Sequence, residues 1–215
     1  DKPSSTAGPS AGPVFYTVQS TQIQVMVMEA GAVLGLVRTL KHDFFNHLQV
    51  ISGYLQLDKS SEAKEYIRRV VDEYAGFSRI IRLGLPEAAL AFLLSRDEAE
   101  KRGIEMAFEI RTDLAAPGLP GKEAGFCLES ILAEAVSSAA PSRAGHRRVK
   151  VCLEEEAGFY VCSVEFLAGA GAREVEQGVR GRVGALNDSL APYGGRAEFR
   201  LAGETGRISL YLPKR

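Results

Sequence analysis

The sequence predicts an α+β protein: an N-terminal antiparallel helical hairpin forming a dimeric four-helix bundle, then a two-layer α/β sandwich. Three observations predict it. An apolar seam in steps of three and four runs from Ile23 to Leu55. A second such seam runs from Ile67 to Ile81. After Pro86, short alternating segments take turns with helical ones. With 215 residues the chain can bury a real core, and its net charge of −1 gives no footprint for nucleic acid.

The elements follow in order. Residues 1–19, opening DKPSSTAGPSAGP, offer little to bury and are expected to be a disordered tail or linker. The chain opens on Asp1 and is expected to be a fragment or a processed form. Ser20 or Thr21 is the expected cap of the first helix. Its seam is Ile23, Val27, Ala30, Leu34, Val37, Phe44, Leu48, Ile51 and Leu55, with a gap at Lys41. DKSS (58–61) breaks the pattern and offers a new cap. The second helix carries Ile67, Val70, Tyr74, Phe77 and Ile81, and GLP (84–86) ends it. Residues 20–84 thus form a hairpin whose seam needs a partner, and a second copy is the expected one. Residues 85–215 form the second domain. They read as a helix to Gly103, a strand 104–110, a helix 123–139, strands from 147 and from 159, a helix 173–191, and strands at 196 and 207. One sheet with helices on one face is the expected result.

Two exclusions come from composition. Cys127, Cys152 and Cys162 form no C-x-x-C and are expected to be reduced thiols of a cytoplasmic protein. VMVMEAGAVLGLV (25–37) holds Glu29 and is short of the ~20 apolar residues a membrane span needs, so neither a membrane partner nor a signal peptide is expected.

The stretch LKHDFFNHLQVISGYLQL (40–57) carries the chemistry. At about 100° per residue, Val37, Phe44, Leu48 and Leu55 share a narrow sector, while His42 and Asn46 lie opposite it, near Arg38 and Gln49. An outward imidazole can act as nucleophile or acid–base group near neutral pH. Asp43 can hold one ring nitrogen, and Arg38, Lys41, Asn46 and Gln49 can meet an anionic group. Phosphoryl transfer suits that setting, since it needs positioning and charge neutralisation. On spacing alone, a solvated helix face with an incidental histidine is the simpler reading. Phe45, apolar and off the seam, either touches a partner or packs on the second helix. His42 and His47 lie on different faces and make a poor metal pair; His47 leans to the seam in a structural role. His146 sits among Arg143, Arg147 and Arg148 and reads as solvated. No metal site, P-loop or nucleophile elbow is present.

The pattern His42, Asp43, Phe44, Asn46, His47, Leu48, Ile51, Gly53, Leu55, Leu57 resembles the histidine box of the sporulation stage-zero B-type phosphorelay phosphotransferases. The related box of citrate/malate-type sensor histidine kinases is similar, and LPEAALAFLLSRDEAEKRGIEMAFEI resembles the link into their next domain. The resemblance implies that His42 is the phosphoacceptor, that hairpins pair into a bundle, and that a response-regulator receiver domain docks beside the histidine, bringing its own aspartate and Mg²⁺.

The resemblance also implies that residues 85–215 are a kinase-ATPase-like domain, here degenerate. LESILAEA (128–135) has Ser130 and Glu134 where the family carries two asparagines. LAGAG (167–171) has Leu167 in place of the adenine-binding aspartate, and RGRV (180–183) has Arg180 and Arg182 in place of glycines of the nucleotide lid. No tightly bound cofactor is therefore expected. The expected function is a phosphorelay phosphotransferase passing phosphoryl between regulator aspartates through His42. An ATP-dependent sensor kinase with an unusual nucleotide site, its tail the remnant of a lost sensor, is the alternative. A non-catalytic dimeric adaptor for regulators is a third.

Overall fold

The structure is a computed structural model that describes residues 14–139, 145, 147–168 and 172–215, with side chains from residue 31 on apart from 32, 36, 72, 73, 75 and 76. It comprises two compact units, Asp1–Asp43 and Phe44–Arg215. Most of the expected tail, residues 1–13, lies outside the described residues, as do His146, Arg143 and residues 169–171. Helix α1 is Val14–Gln56. It starts six residues before the expected cap at Ser20, directly after Pro13, a residue that fits the start of a helix but not its interior. Ile23, Val27 and Ala30 of the seam have side chains outside the described set. In the first unit, Val33, Leu34 and Val37 are exposed.

The second unit holds the end of α1 and everything after it. Helix α2 is Ser60–Ile81. The turn between the helices is made by Asp58 in the left-handed region (φ 57°), a conformation that aspartate tolerates better than most residues. The cap expected within DKSS falls at Lys59, without a side-chain bond, and the Ser61 hydroxyl donates to Glu62. Phe44, Leu48 and Leu55 on α1, and Ile67, Val71 and Ile81 on α2, stand exposed in the single chain.

Helix α3 (Pro86–Lys101) opens on proline at its first turn and ends before Gly103, which is left-handed at φ 67°. Strand β1 (Ile104–Ile110), helix α4 (Gly121–Ser138), strands β2 (Arg147–Glu156) and β3 (Phe159–Leu167), helix α5 (Ala172–Leu190), and strands β4 (Arg196–Ala202) and β5 (Thr205–Pro213) complete the order the sequence predicts. The sheet runs β1-β2-β3-β5-β4; β1 and β2 are parallel, bridged by α4, and the other pairs are antiparallel. One sheet face carries Val149, Val151, Leu153, Cys162, Val164, Ile208, Leu210 and Leu212, all buried against α3, α4 and α5. Helix α4 returns Ala124, Cys127, Leu128, Ile131, Leu132 and Ala135, a helical stripe buried throughout. Burial raises the Cys127 thiol to about 11 and pushes Cys162 higher still, so neither is a nucleophile at neutral pH.

The other sheet face is polar and laced with ion pairs: Arg111 to Glu109 and Glu154, Lys150 to Glu109, Arg207 to Glu165, and Glu198 between Arg196 and Arg200. That alternation is the signature of a sheet with one wet face, and it makes the domain two layers rather than three.

Two local contacts set the helices on the sheet. A Cβ on Gly125 of α4 would lie 2.8 Å from Cβ of Glu87 on α3, while one on Gly121 would meet only the Glu87 carboxylate. Gly125→Ala is therefore expected to cost about 1–3 kcal/mol by overpacking, whereas Gly121→Ala is near neutral because a carboxylate can swing away. Urea unfolding of the two variants checks it. At the open edge, Asn187 of α5 donates to the Ala197 carbonyl (3.0 Å) and accepts from the Ala197 N–H (2.6 Å). The amide stands in for a neighbouring strand at one register position of β4. Asn187→Leu leaves both groups unsatisfied and is expected to cost about 2 kcal/mol, read as a drop of about 4–8 °C in Tm.

Candidate functional site

Position on a long helix decides how each candidate side chain is presented. His42 is 74% exposed, and its Nδ1 lies 3.4 Å from Oδ1 of the half-buried Asp43. That distance is long for a hydrogen bond and short enough for the carboxylate to orient the ring and favour a proton on Nδ1. Arg38 and Lys41, preceding them in the same unit, are exposed.

In the second unit, Asn46, Gln49 and Phe45 are exposed as well. Phe45 meets Phe44 edge to face at 6.1 Å. Its exposure keeps a large apolar group on the surface of the chain. His47 behaves as its spacing predicts. It is half-buried, its Nδ1 is 2.9 Å from the Tyr66 hydroxyl on α2, and its ring lies edge-on to Tyr74 at 6.0 Å. Tyr54 and Arg69 complete the surroundings of Tyr66. Tyr66 was invisible as a partner in the sequence, because the contact crosses 19 residues and depends on how the hairpin closes.

The positions compared with a nucleotide site fall elsewhere, on α4, β3 and α5. Leu167 ends β3. Ser130 donates its hydroxyl to the Phe126 carbonyl of its own helix. Glu134 is buried; Ser138 donates to its Oε1 at 3.1 Å, and its Oε2 lies 2.7 Å from Nε of Arg182. The approach is off the hydrogen-bond axis, so it is a charge contact. Arg180 pairs with Glu176 one turn back on α5. The stretch 180–183 compared with the lid lies, as the expected helix 173–191 implies, in the middle of α5, where Val179 and Val183 anchor it to the core.

Among the described residues, no cluster of His, Cys, Asp and Glu could hold a metal ion, and no helix is long and apolar enough to cross a membrane.

Residues 24–83 match the family described as "Sensor_kinase_SpoOB-type, alpha-helical domain". No curated protein matches the chain. Among solved structures, the catalytic domain of histidine kinase ThkA is similar over 58% of this chain and 87% of that one, at 14% identity and a TM-score of 0.45. The Acinetobacter baumannii histidine kinase AdeS is similar over 81% of this chain and 98% of that one, at 8% identity and a TM-score of 0.43. The cytoplasmic segment of histidine kinase QseC is similar over 58% and 71%, at 10% identity and a TM-score of 0.41. The match to a sensor-kinase family is thus confined to the helical segment of the chain.

Proposed function

We propose that the protein is a phosphorelay phosphotransferase in which His42 accepts a phosphoryl group from an aspartyl-phosphate on one response regulator and passes it to an aspartate on another. The observation that carries this is the exposed His42 with Asp43 against Nδ1, inside a segment that matches a sensor-kinase helical domain. With Asp43 favouring a proton on Nδ1, Nε2 is the attacking nitrogen. The N–P bond forms as the acyl O–P bond breaks, and the regulator's carboxylate leaves. Asp43 offsets the positive charge that develops on the ring, and Lys41 and Arg38 supply positive charge for the incoming anion. The regulator supplies the Mg²⁺ and the second half of the site. Two copies of the chain pair through the exposed apolar seams of α1 and α2.

The absence of ATP-dependent autophosphorylation belongs to the same proposal. The buried Glu134 puts a negative charge where phosphates would gather, and Leu167 cannot accept a bond from an adenine amino group. Mixing the protein with a phosphorylated receiver domain is the test. Acid-labile, base-stable label on the wild-type chain supports the proposal, and label acquired from ATP alone identifies a kinase instead. No label from either source identifies the adaptor.

A further inference from the structure

We propose that α5 is a latch: a helix built to open from its start through Gly184 and held shut by the charge contact between Arg182 and Glu134. It rests on the α/β domain alone and stands whether or not His42 carries phosphate.

The first observation is three glycines, Gly178, Gly181 and Gly184, inside a 19-residue helix. A Cβ on any of them would meet no atom within 4 Å, and none has a left-handed backbone. Neither packing nor conformation calls for glycine there, in contrast to Gly125 of α4, which Glu87 crowds. Each interior glycine weakens a helix by about fivefold relative to alanine, so the three together favour opening by roughly a hundredfold.

The second observation is where the helix is fastened. Its C-terminal turns are secured by Leu186, Leu190 and the two bonds from Asn187 to β4. The preceding turns have Val179 and Val183 in the core, with Ala172 and Val175 only partly buried. To these Arg182 adds its contact with Glu134 across to α4. The pair is lopsided: the Glu134 side chain is 9% exposed and Arg182 is 68% exposed. Losing the arginine leaves a buried carboxylate without its counter-charge, which strongly disfavours the closed state, whereas losing the glutamate leaves only a solvated cation. Arg182 also borders a groove of about 450 Å³ between α4 and α5, together with Phe126, Ser130, Ala133 and Leu186. Opening through Gly184 withdraws Arg182 from that groove, while Leu186 stays in place.

Amide hydrogen exchange on the full chain at neutral pH tests the latch. Amides of 176–184 are expected to exchange through a local opening, at least about tenfold faster than those of the α4 stripe. Arg182→Gln is expected to speed them by about tenfold or more, with sheet amides such as Val161 and Leu210 unchanged. Adding Glu134→Gln to Arg182→Gln is expected to restore slower exchange, since the buried charge is gone. Alanine at 178, 181 and 184 together is expected to slow exchange of α5 by roughly a hundredfold. Exchange of α5 at the same rate as the sheet in the wild-type chain overturns the proposal. So does an Arg182→Gln chain whose α5 exchanges as the wild type does.

Discussion

His42→Gln is expected to bring phosphoryl transfer from a phosphorylated regulator down to background while leaving the fold and the association state of the chain intact. An imidazole that is 74% exposed contributes nothing to a core, so an amide in its place leaves the helix as it was. The chemistry has no substitute, because glutamine offers no nucleophilic ring nitrogen. Neighbours are expected to grade the rate. Asp43→Asn keeps a polar group near Nδ1 but removes the charge, and transfer slows by up to about a hundredfold. His47→Gln is expected to retain transfer: its role is the bond to Tyr66, which an amide can make, so any loss appears in stability. Label that persists on His42→Gln and vanishes on His47→Gln would reverse the assignment of the nucleophile.

Phe44→Asp or Leu48→Asp is expected to split the proposed dimer. Both side chains are about half exposed in the single chain, at 55% and 45%, so the substitution leaves the chain's own core untouched. In a bundle of two hairpins, by contrast, symmetry places two carboxylates in the seam. Burying an unpaired charge costs several kcal/mol, which raises the dissociation constant by at least about a hundredfold. Sedimentation at micromolar concentration reads the outcome. A wild-type chain that sediments as a monomer would refute the pairing of the two seams.

How far the fold was legible follows from which signals are local. Strand β1 coincides with the alternating IEMAFEI, and β3 with FYVCSVEFL, because period-two burial is written residue by residue. The start of α1 was misplaced because VFYTVQ carries no breaker, and the helix runs back to Val14. Helix α5 was legible in spite of its glycines. Glycines spaced by three weaken a helical reading, yet Val179, Val183, Leu186 and Leu190 form a helical stripe that the core enforces. Of the candidate site, His42 with Asp43 was readable because the two are adjacent. Tyr66 beside His47, Arg182 beside Glu134 and Asn187 on the edge of β4 were not, since each depends on a tertiary contact between elements.

The strand order has a consequence for how the domain comes into being. Strand β5 is last in the sequence but lies inside the sheet, between β3 and β4. During synthesis, β2 and β3 can zip together as a hairpin as soon as they emerge, and β1 can join them once α4 has crossed over. Strand β4 has no neighbour to pair with until residues 205–213 follow it out. The sheet therefore closes in one late step, and until then β3 presents an unpaired edge. Non-local pairing of this kind slows folding and exposes the nascent chain to association, so half-made chains are the vulnerable species.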